Sequence, residues 1–184
     1  MGLIGDGLER ALQEAFTRPI PKTAGAQMRY LVRQLGGTRQ AAQLLGTSQR
    51  TVERYVKGQF KSPRGDLASR LENAVRARWQ PGVRSRAMKA AAAAKGIVIE
   101  TRAAFGYTAA PGTTDDPRMR RITQSLPPEY ASRLFTAYQS GAPDSELSKI
   151  VAQGLQDMYF RDGGRRAGDL EVEFTDIDYI DFDL

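Results

Sequence analysis

The chain has 184 residues and a formal net charge of +6, with 41% hydrophobic and 26% charged residues. These proportions are typical of a soluble globular protein with one large domain or two small ones. Cysteine and histidine are both absent, which excludes disulfides, thiolate nucleophiles, Cys/His zinc sites and imidazole bases. Their absence also lowers the expectation of an enzyme.

Neither a membrane span nor a signal peptide is predicted. No apolar run approaches the roughly 20 residues that cross a bilayer. The first residues, MGLIGDGLERALQEAF, place acids within the apolar stretch and lack a basic start, unlike a signal peptide. We therefore expect a cytoplasmic protein without a membrane partner.

The charge is distributed unevenly along the chain. Residues 18–102 contain 18 Lys and Arg and only four acids, a net charge of +14, whereas residues 169–184 contain seven acids and no base. A segment this basic collects phosphate contacts, which supply most of the non-specific affinity of DNA-binding proteins. The alternative is a solvated cationic surface without a partner.

Five helices are predicted in the first part of the chain, and most of them end at a glycine or a proline. They cover about 6–16, 24–35, 39–45, 49–57 and a segment from Pro63 to about Arg78. Thr38 and Ser48 precede the third and fourth of these helices and are expected to cap them, because a side-chain hydroxyl can accept from a free N–H of the first turn.

The middle of the chain mixes structure types. After a break at 79–82, the pattern predicts a basic alanine-rich helix at 84–95 and a strand at 97–102. A second extended piece at 105–108 is expected to pair with that strand as a short hairpin. Residues 109–117, AAPGTTDDP, are predicted to form a loop because they combine Pro, Gly, Thr and Asp.

Helices are predicted again at 128–139 and 144–160, with their aromatic residues in the core rather than stacked on bases. In the tail, 169–184, apolar and acidic residues alternate. This pattern fits a terminal strand, an autoinhibitory mimic of DNA, a contact to a partner protein or a solubilising end.

The segment TRQAAQLLGTSQRTVERYVKG at about 38–58 is the most specific motif. A helix-turn-helix needs a small residue where its helices cross, a turn residue that tolerates positive φ, and an apolar anchor on the second helix. Ala42, Gly46 and Val52 occupy these places, and Leu45, Tyr55 and Val56 complete the buried side. An ordinary helical hairpin with a glycine turn is the alternative.

The polar face of the second helix suggests how each residue contacts DNA. Base edges are assigned to Gln49, Arg50 and Arg54, and the DNA backbone to Arg39, Ser48 and Lys57, with Thr51 on the same face. Helix 84–95 either follows the DNA backbone through Arg84 and Arg86 or is only solvated. Further phosphate contacts are assigned to Arg118, Arg120 and Arg121.

Together these elements predict a mainly α fold. It consists of an N-terminal helix-turn-helix bundle, a basic mixed middle with a short hairpin, C-terminal helices and an acidic tail. The corresponding domains are 1–82, 83–168 and 169–184.

Over its whole length the chain resembles the telomere-protecting terminal proteins of Streptomyces linear chromosomes and plasmids. The resemblance is carried by the start MGLIGDGLERALQEAFTRPIPKTAGAQMRYLV, the motif described above, the middle RAAFGYTAAPGTTDDPRMRRIT and the end FTDIDYIDFD. Members of that family are bound covalently to the 5′ ends of linear DNA. They are thought to supply the hydroxyl that primes synthesis of the recessed terminal patch.

The resemblance implies that Thr114 accepts the first nucleotide, with Thr113 as the second choice. It also implies three partners: telomeric DNA ends, a telomere-associated protein and a DNA polymerase. On this interpretation the protein is a primer and not an enzyme, and it sits at DNA ends within the nucleoid. It needs no cofactor of its own, because the polymerase brings the divalent metal, Mg²⁺. Whether the protein forms a homo-oligomer stays open.

Two other functions remain as alternatives. A sequence-specific transcriptional regulator would use the same helix-turn-helix together with an oligomerisation region. A nuclease or recombinase would use a carboxylate set of Asp115, Asp116 and Glu129, which the spacing supports weakly. Without the resemblance, Thr114 is better read as a turn or capping residue before Pro117.

Overall fold

The computed structural model describes residues 2–108, 118–163 and 171–184. The chain divides into two compact units. The helical unit is Thr17–Pro81, and the sheet unit combines Met1–Phe16 with Gly82–Leu184. Both are rich in helix and only one contains a sheet, so the predicted mainly α fold is confirmed. In the described part of the chain, no helix has the length and apolar character needed to cross a bilayer.

The helical unit contains four helices around one core. They are α2 (Ala24–Leu35), α3 (Thr38–Leu44), α4 (Gln49–Val56) and α5 (Asp66–Arg76). The fully buried side chains at the centre are Met28, Leu31, Leu45, Val52, Leu71 and Val75. They recur at helical spacing, so each helix turns one apolar stripe inward.

Local signals set the ends of these helices. The Thr23 hydroxyl accepts a hydrogen bond from the amide of Ala26 at 3.3 Å and starts α2. Gly36 ends the same helix with φ +78, a conformation that costs little for glycine. The two ends of the unit are joined by a hydrogen bond from the indole Nε1 of Trp79 to the carbonyl of Arg18 at 3.0 Å.

Within its described residues, the sheet unit packs four helices against a three-stranded sheet. Its helices are α1 (Leu3–Glu14), α6 (Pro81–Ala90), α7 (Pro128–Ser140) and α8 (Asp144–Leu155). α6 and α8 continue into π-helical turns at Ala91–Lys95 and Gln156–Phe160. The strands are β1 (Ile97–Thr108), β2 (Met119–Leu126) and β3 (Glu171–Asp183).

The sheet is antiparallel with the order β2-β1-β3. Thr101 at the centre of β1 lies opposite Ile122 of β2 on one side and Ile180 of β3 on the other. Alternate residues of β1, among them Ile99 and Phe105, are fully buried. This alternation gives the sheet one apolar face that packs on the helices.

The predicted short hairpin within 97–108 is wrong. Both of its halves belong to the single strand β1, which pairs with β2 from Ile97↔Leu126 to Ala104↔Met119. Residues 102–104, Arg-Ala-Ala, offer none of the turn residues that a hairpin needs. Instead the strand is continuous, with register shifts against β3 at Arg102/Ala103 and Ala104/Phe105.

The observed units also differ from the predicted domain boundaries at both ends of the chain. Helix α1 was expected in the 1–82 domain, but Ile4, Leu8 and Leu12 lie in the core of the sheet unit. The acidic tail is not a separate segment, because residues 171–183 form β3. The two ends meet at Gly7, where an added Cβ would lie 2.9 Å from Cε2 of Phe182. Such close packing requires glycine.

Candidate nucleic-acid interface

The α3–turn–α4 segment has the burial pattern predicted for its apolar positions. Ala42, Leu45, Val52 and Tyr55 are buried, while Val56 is half-buried. Gly46 in the turn has φ +56, which a residue with a Cβ rarely adopts. The two helices are therefore fixed to each other and to the core of the helical unit.

A capping interaction begins α4. The Oγ of Ser48 accepts from the amide of Thr51 at 3.1 Å, and the two hydroxyls share a further hydrogen bond of 2.8 Å. Such a cap stabilises a helix by about 1 kcal/mol. Ser48 and Thr51 thus hold the start of α4 in place, whatever else they contact.

The solvent side of α4 presents polar and cationic side chains. Gln49, Arg50 and Lys57 are exposed, and Arg54 is half-buried. Gln49 Nε2 donates to Glu53 Oε1 at 2.9 Å. Arg50 forms no ion pair with any residue in the described ranges. An exposed guanidinium on a rigid helix can pair with a guanine edge or a phosphate.

Arg54 has an aromatic neighbour that the motif did not suggest. Its guanidinium carbon lies 5.3 Å from the ring centroid of Phe60, which follows α4 in the chain. The Phe60 ring in turn meets Tyr55 edge-on, with centroids 5.5 Å apart. Arg54 is therefore oriented by a cation–π contact as well as by its helix.

The helical unit carries far more positive than negative charge. Residues 17–81 contain 13 Lys and Arg against three acids, a net charge of +10. Arg39 at the start of α3 is exposed, and Arg29 Nη1 donates to the carbonyl of Val56 at 3.3 Å near the end of α4. A field of this sign attracts polyanions over the distance of a Debye length.

Three residues of the loop after α4 were missed in the sequence analysis. Phe60, Lys61 and Arg64 are all exposed. The signal that would have found them is the run Lys-Ser-Pro-Arg-Gly, which is a basic, extended segment directly after a helix with a base-competent face.

Arg84 does not serve as a surface cation, which corrects its assignment to the DNA backbone. Its Nη1 and Nη2 atoms donate to the two carboxylate oxygens of Glu9 at 2.8 and 2.7 Å. Both side chains are nearly buried, with 11% and 8% exposed. The signal in the sequence was weak, because the partner lies 75 positions away.

Tyr138 and Gln13 complete this network around Glu9. The Tyr138 hydroxyl donates to Glu9 Oε2 at 2.7 Å, and Gln13 Nε2 donates to Oε1 at 3.1 Å. Burial pushes the pKa of Glu9 upward, but the hydrogen bonds from Arg84, Tyr138 and Gln13 outweigh it and the pKa is lowered. Burial and the carboxylate together raise the pKa of Tyr138 to about 12.

Four further cations assigned to phosphates, Arg86, Arg118, Arg120 and Arg121, lie in the sheet unit with Arg84. Arg86 is exposed, and its Nε donates to the carbonyl of Gly82 at 3.4 Å. Arg118 and Arg121 are exposed at the start of β2, while the half-buried Arg120 lies over Phe160 with its guanidinium carbon 5.9 Å from the ring centroid. Arg121 is opposite Arg102 of β1, whose Nη1 donates to Asp178 Oδ2 of β3 at 2.7 Å.

The proposed nucleotide acceptors, Thr113 and Thr114, lie outside the described residues, as do Asp115 and Asp116. Within the described ranges no three acidic side chains converge as metal ligands. The prediction that the aromatic residues of 128–160 belong to the core is confirmed for Tyr130 and Phe135, which are buried, whereas Tyr159 is 42% exposed. The Tyr130 hydroxyl donates to Asp157, and burial together with that bond raises its pKa to about 12.

No family model matches this chain, and no curated protein or solved structure is detectably similar to it.

Proposed function

We propose that the protein binds duplex DNA through the helical unit, with α4 as the recognition helix of a helix-turn-helix, and that it acts as a terminal protein at the ends of linear DNA. The observation that supports DNA binding best is the exposed, cationic face of a capped helix on a rigid bundle. Arg50 is the centre of that face, since it is exposed and without an acidic partner among the described residues.

The charge and the shape support the same proposal. An α-helix fits the major groove of B-DNA, which is about 12 Å wide. The net charge of +10 on residues 17–81 supplies phosphate contacts on either side of α4. Gln49 and Arg50 in the first turn of α4 are the residues assigned to base edges.

DNA binding is tested with the double variant Arg50→Ala/Arg54→Ala. We expect the Kd for duplex DNA to rise at least about tenfold, because the base contacts assigned to the two arginines are lost. The slope of log K against log salt should also flatten, because the interface loses two positive charges. A charge-matched control, Lys22→Ala/Arg33→Ala, removes two exposed cations from α2 and its approach. Equal affinity and equal salt slopes for wild type and Arg50→Ala/Arg54→Ala would refute the role of α4.

The terminal-protein part of the proposal rests on the resemblance of the chain to that family. In the priming step the Thr114 hydroxyl oxygen attacks the α-phosphorus of a deoxynucleoside triphosphate. A phosphoester bond to threonine forms, the bond to pyrophosphate breaks, and the hydroxyl proton passes to the polymerase site or to water. The partner polymerase supplies the Mg²⁺ ions that stabilise the attacking and leaving oxygens. The protein itself is consumed as a substrate.

This step is tested by deoxynucleotidylation. The purified protein is incubated with labelled nucleotides, a single-stranded terminal template and a host extract that contains polymerase and telomere-associated protein. We expect label on the wild type and on Thr113→Ala, and none on Thr114→Ala. Label on Thr114→Ala alone among the threonine variants would move the acceptor to Thr113. No label on any form, in an extract proven active on another terminal protein, would refute priming and favour the transcriptional regulator.

A further inference from the structure

The loop between α4 and α5, residues 57–65, is an exposed basic segment beside the proposed recognition helix. Eight of its nine residues are exposed, and only Pro63 is half-buried. It carries Lys57, Lys61 and Arg64 and no acid. None of the ion pairs among the described residues involves these cations. Their charges are therefore available to an anionic partner.

The start of this loop is held against α4. Gly58 has φ +74, and the amide of Gln59 donates to the carbonyl of Arg54 at 2.9 Å. Further along, the Tyr55 hydroxyl donates to the carbonyl of Ser62 at 3.2 Å. Since Tyr55 is itself buried in the core, the loop presents its cations from a fixed base.

Phe60 is the apolar residue of the loop, and its ring is 40% exposed. The ring meets Tyr55 edge-on and lies under the guanidinium of Arg54, and Phe60 is not part of the core cluster of the helical unit. A partly exposed aromatic flanked by cations suits a surface that inserts an apolar side chain between base pairs.

We infer that this loop enters the minor groove next to the major-groove site of α4. Lys61 and Arg64 would then lie along the groove floor, and Phe60 would leave its contact with Arg54, wedge into a base step and bend the duplex. The inference rests on the proposed DNA-binding function and adds a second contact to it. A minor groove about 6 Å wide excludes a helix but admits a single non-helical chain such as Lys-Ser-Pro-Arg-Gly.

The chemistry favours A·T-rich DNA. A·T tracts narrow the minor groove and strengthen its negative potential, which attracts inserted arginine and lysine.

The test uses three short alternating duplexes, of A·T, I·C and G·C pairs. Inosine lacks the N2 amino group, so an I·C pair resembles A·T in the minor groove and G·C in the major groove. We expect the wild type to bind the A·T and I·C duplexes at least about fivefold more tightly than the G·C duplex. Lys61→Ala/Arg64→Ala should lose this preference, while the charge-matched Lys22→Ala/Arg33→Ala should keep it.

The role of Phe60 is measured by energy transfer between dyes at the two ends of the A·T duplex. The wild type should shorten the end-to-end distance, and Phe60→Ala should abolish the shortening. Thermal unfolding followed by circular dichroism verifies that the variants are folded, which their exposed positions favour.

The outcomes separate the inference from the function on which it rests. Equal binding of all three duplexes, or I·C bound as weakly as G·C, would overturn minor-groove contact and leave DNA binding intact. The same conclusion follows if Lys61→Ala/Arg64→Ala keeps the preference, and an unchanged bend in Phe60→Ala would overturn the wedge. Failure of the wild type to bind any duplex would overturn the proposed function itself.

Discussion

Replacing Arg84 by methionine separates the structural role of this arginine from the DNA contact that the sequence suggested. The substitution keeps the apolar stem and removes the guanidinium that bridges α6 to α1. Glu9 then keeps only Tyr138 and Gln13 as donors, although its carboxylate is 8% exposed. A buried carboxylate without its cationic partner is strongly unfavourable.

The size of the effect follows from that geometry. Breaking a buried ion pair by removing one partner costs about 3–5 kcal/mol. For a chain of this size, that corresponds to a fall in Tm of about 10 °C or more. The pKa of Glu9 is lowered in the folded protein, so its contribution to stability is present above the unfolded value of about 4.5 and is lost as the pH falls through the folded value. Arg84→Met should weaken this acid dependence.

Urea denaturation at neutral pH, followed by circular dichroism, measures the free energy of unfolding. The matched control is Arg86→Met, which removes an exposed guanidinium two residues away and should change stability by no more than about 0.5 kcal/mol. Combining Arg84→Met with Glu9→Met should restore part of the loss, because no unpaired charge then remains buried.

The reasoning is refuted if Arg84→Met is as stable as the wild type. If that stable variant also loses DNA affinity, with a salt slope reduced by about one, the arginine contacts a phosphate. These two results together would restore the assignment of Arg84 to the DNA backbone.

Three further predictions follow from the packing of the sheet unit. Gly96→Ala should destabilise the protein by about 2–4 kcal/mol, because φ is +74 and the new Cβ would lie 2.1 Å from the carbonyl oxygen of Leu126. Gly58→Ala, also at φ +74 but in open space, should cost only about 1 kcal/mol in the same urea titration, and equal costs would contradict the clash. Deleting 169–184 should abolish cooperative unfolding of the sheet unit and expose apolar surface that binds hydrophobic dyes, because the deletion removes β3 and its buried residues. A folded truncation with raised DNA affinity would instead support screening of the DNA-binding charges by the tail. Tyr138, whose pKa is raised to about 12, should contribute stability that is complete below about pH 10 and lost as the pH rises to about 12, and a difference titration against Tyr138→Phe in which the missing group ionises near pH 10 would contradict this.

The helical unit was largely predictable because its signals are local. A helix is set by contacts three or four residues apart and by capping residues within its first turn. The predicted helix 24–35 agrees with α2, and Ser48 caps α4 as expected. The predicted Thr38 cap is wrong, because α3 begins at Thr38 itself and Gly37 is the N-cap, without a side-chain hydrogen bond. The exposed face of α4 also follows from periodicity, since the burial of Val52 and Tyr55 leaves the other positions outside.

The tertiary structure decided the features that depend on residues far apart in the sequence. Asp144 accepts hydrogen bonds from the first amides of α1, and Arg84 pairs with Glu9; neither partner can be identified from local pattern. β1 pairs with strands on both sides, which favours one long strand over the predicted hairpin. The alternation of the tail was equally compatible with several roles. Its pairing with β1 makes it a strand of the sheet, and Phe182 packs it against Gly7 of α1. Periodicity indicates which side of a helix or strand is apolar, but only the tertiary packing decides which other element covers that side.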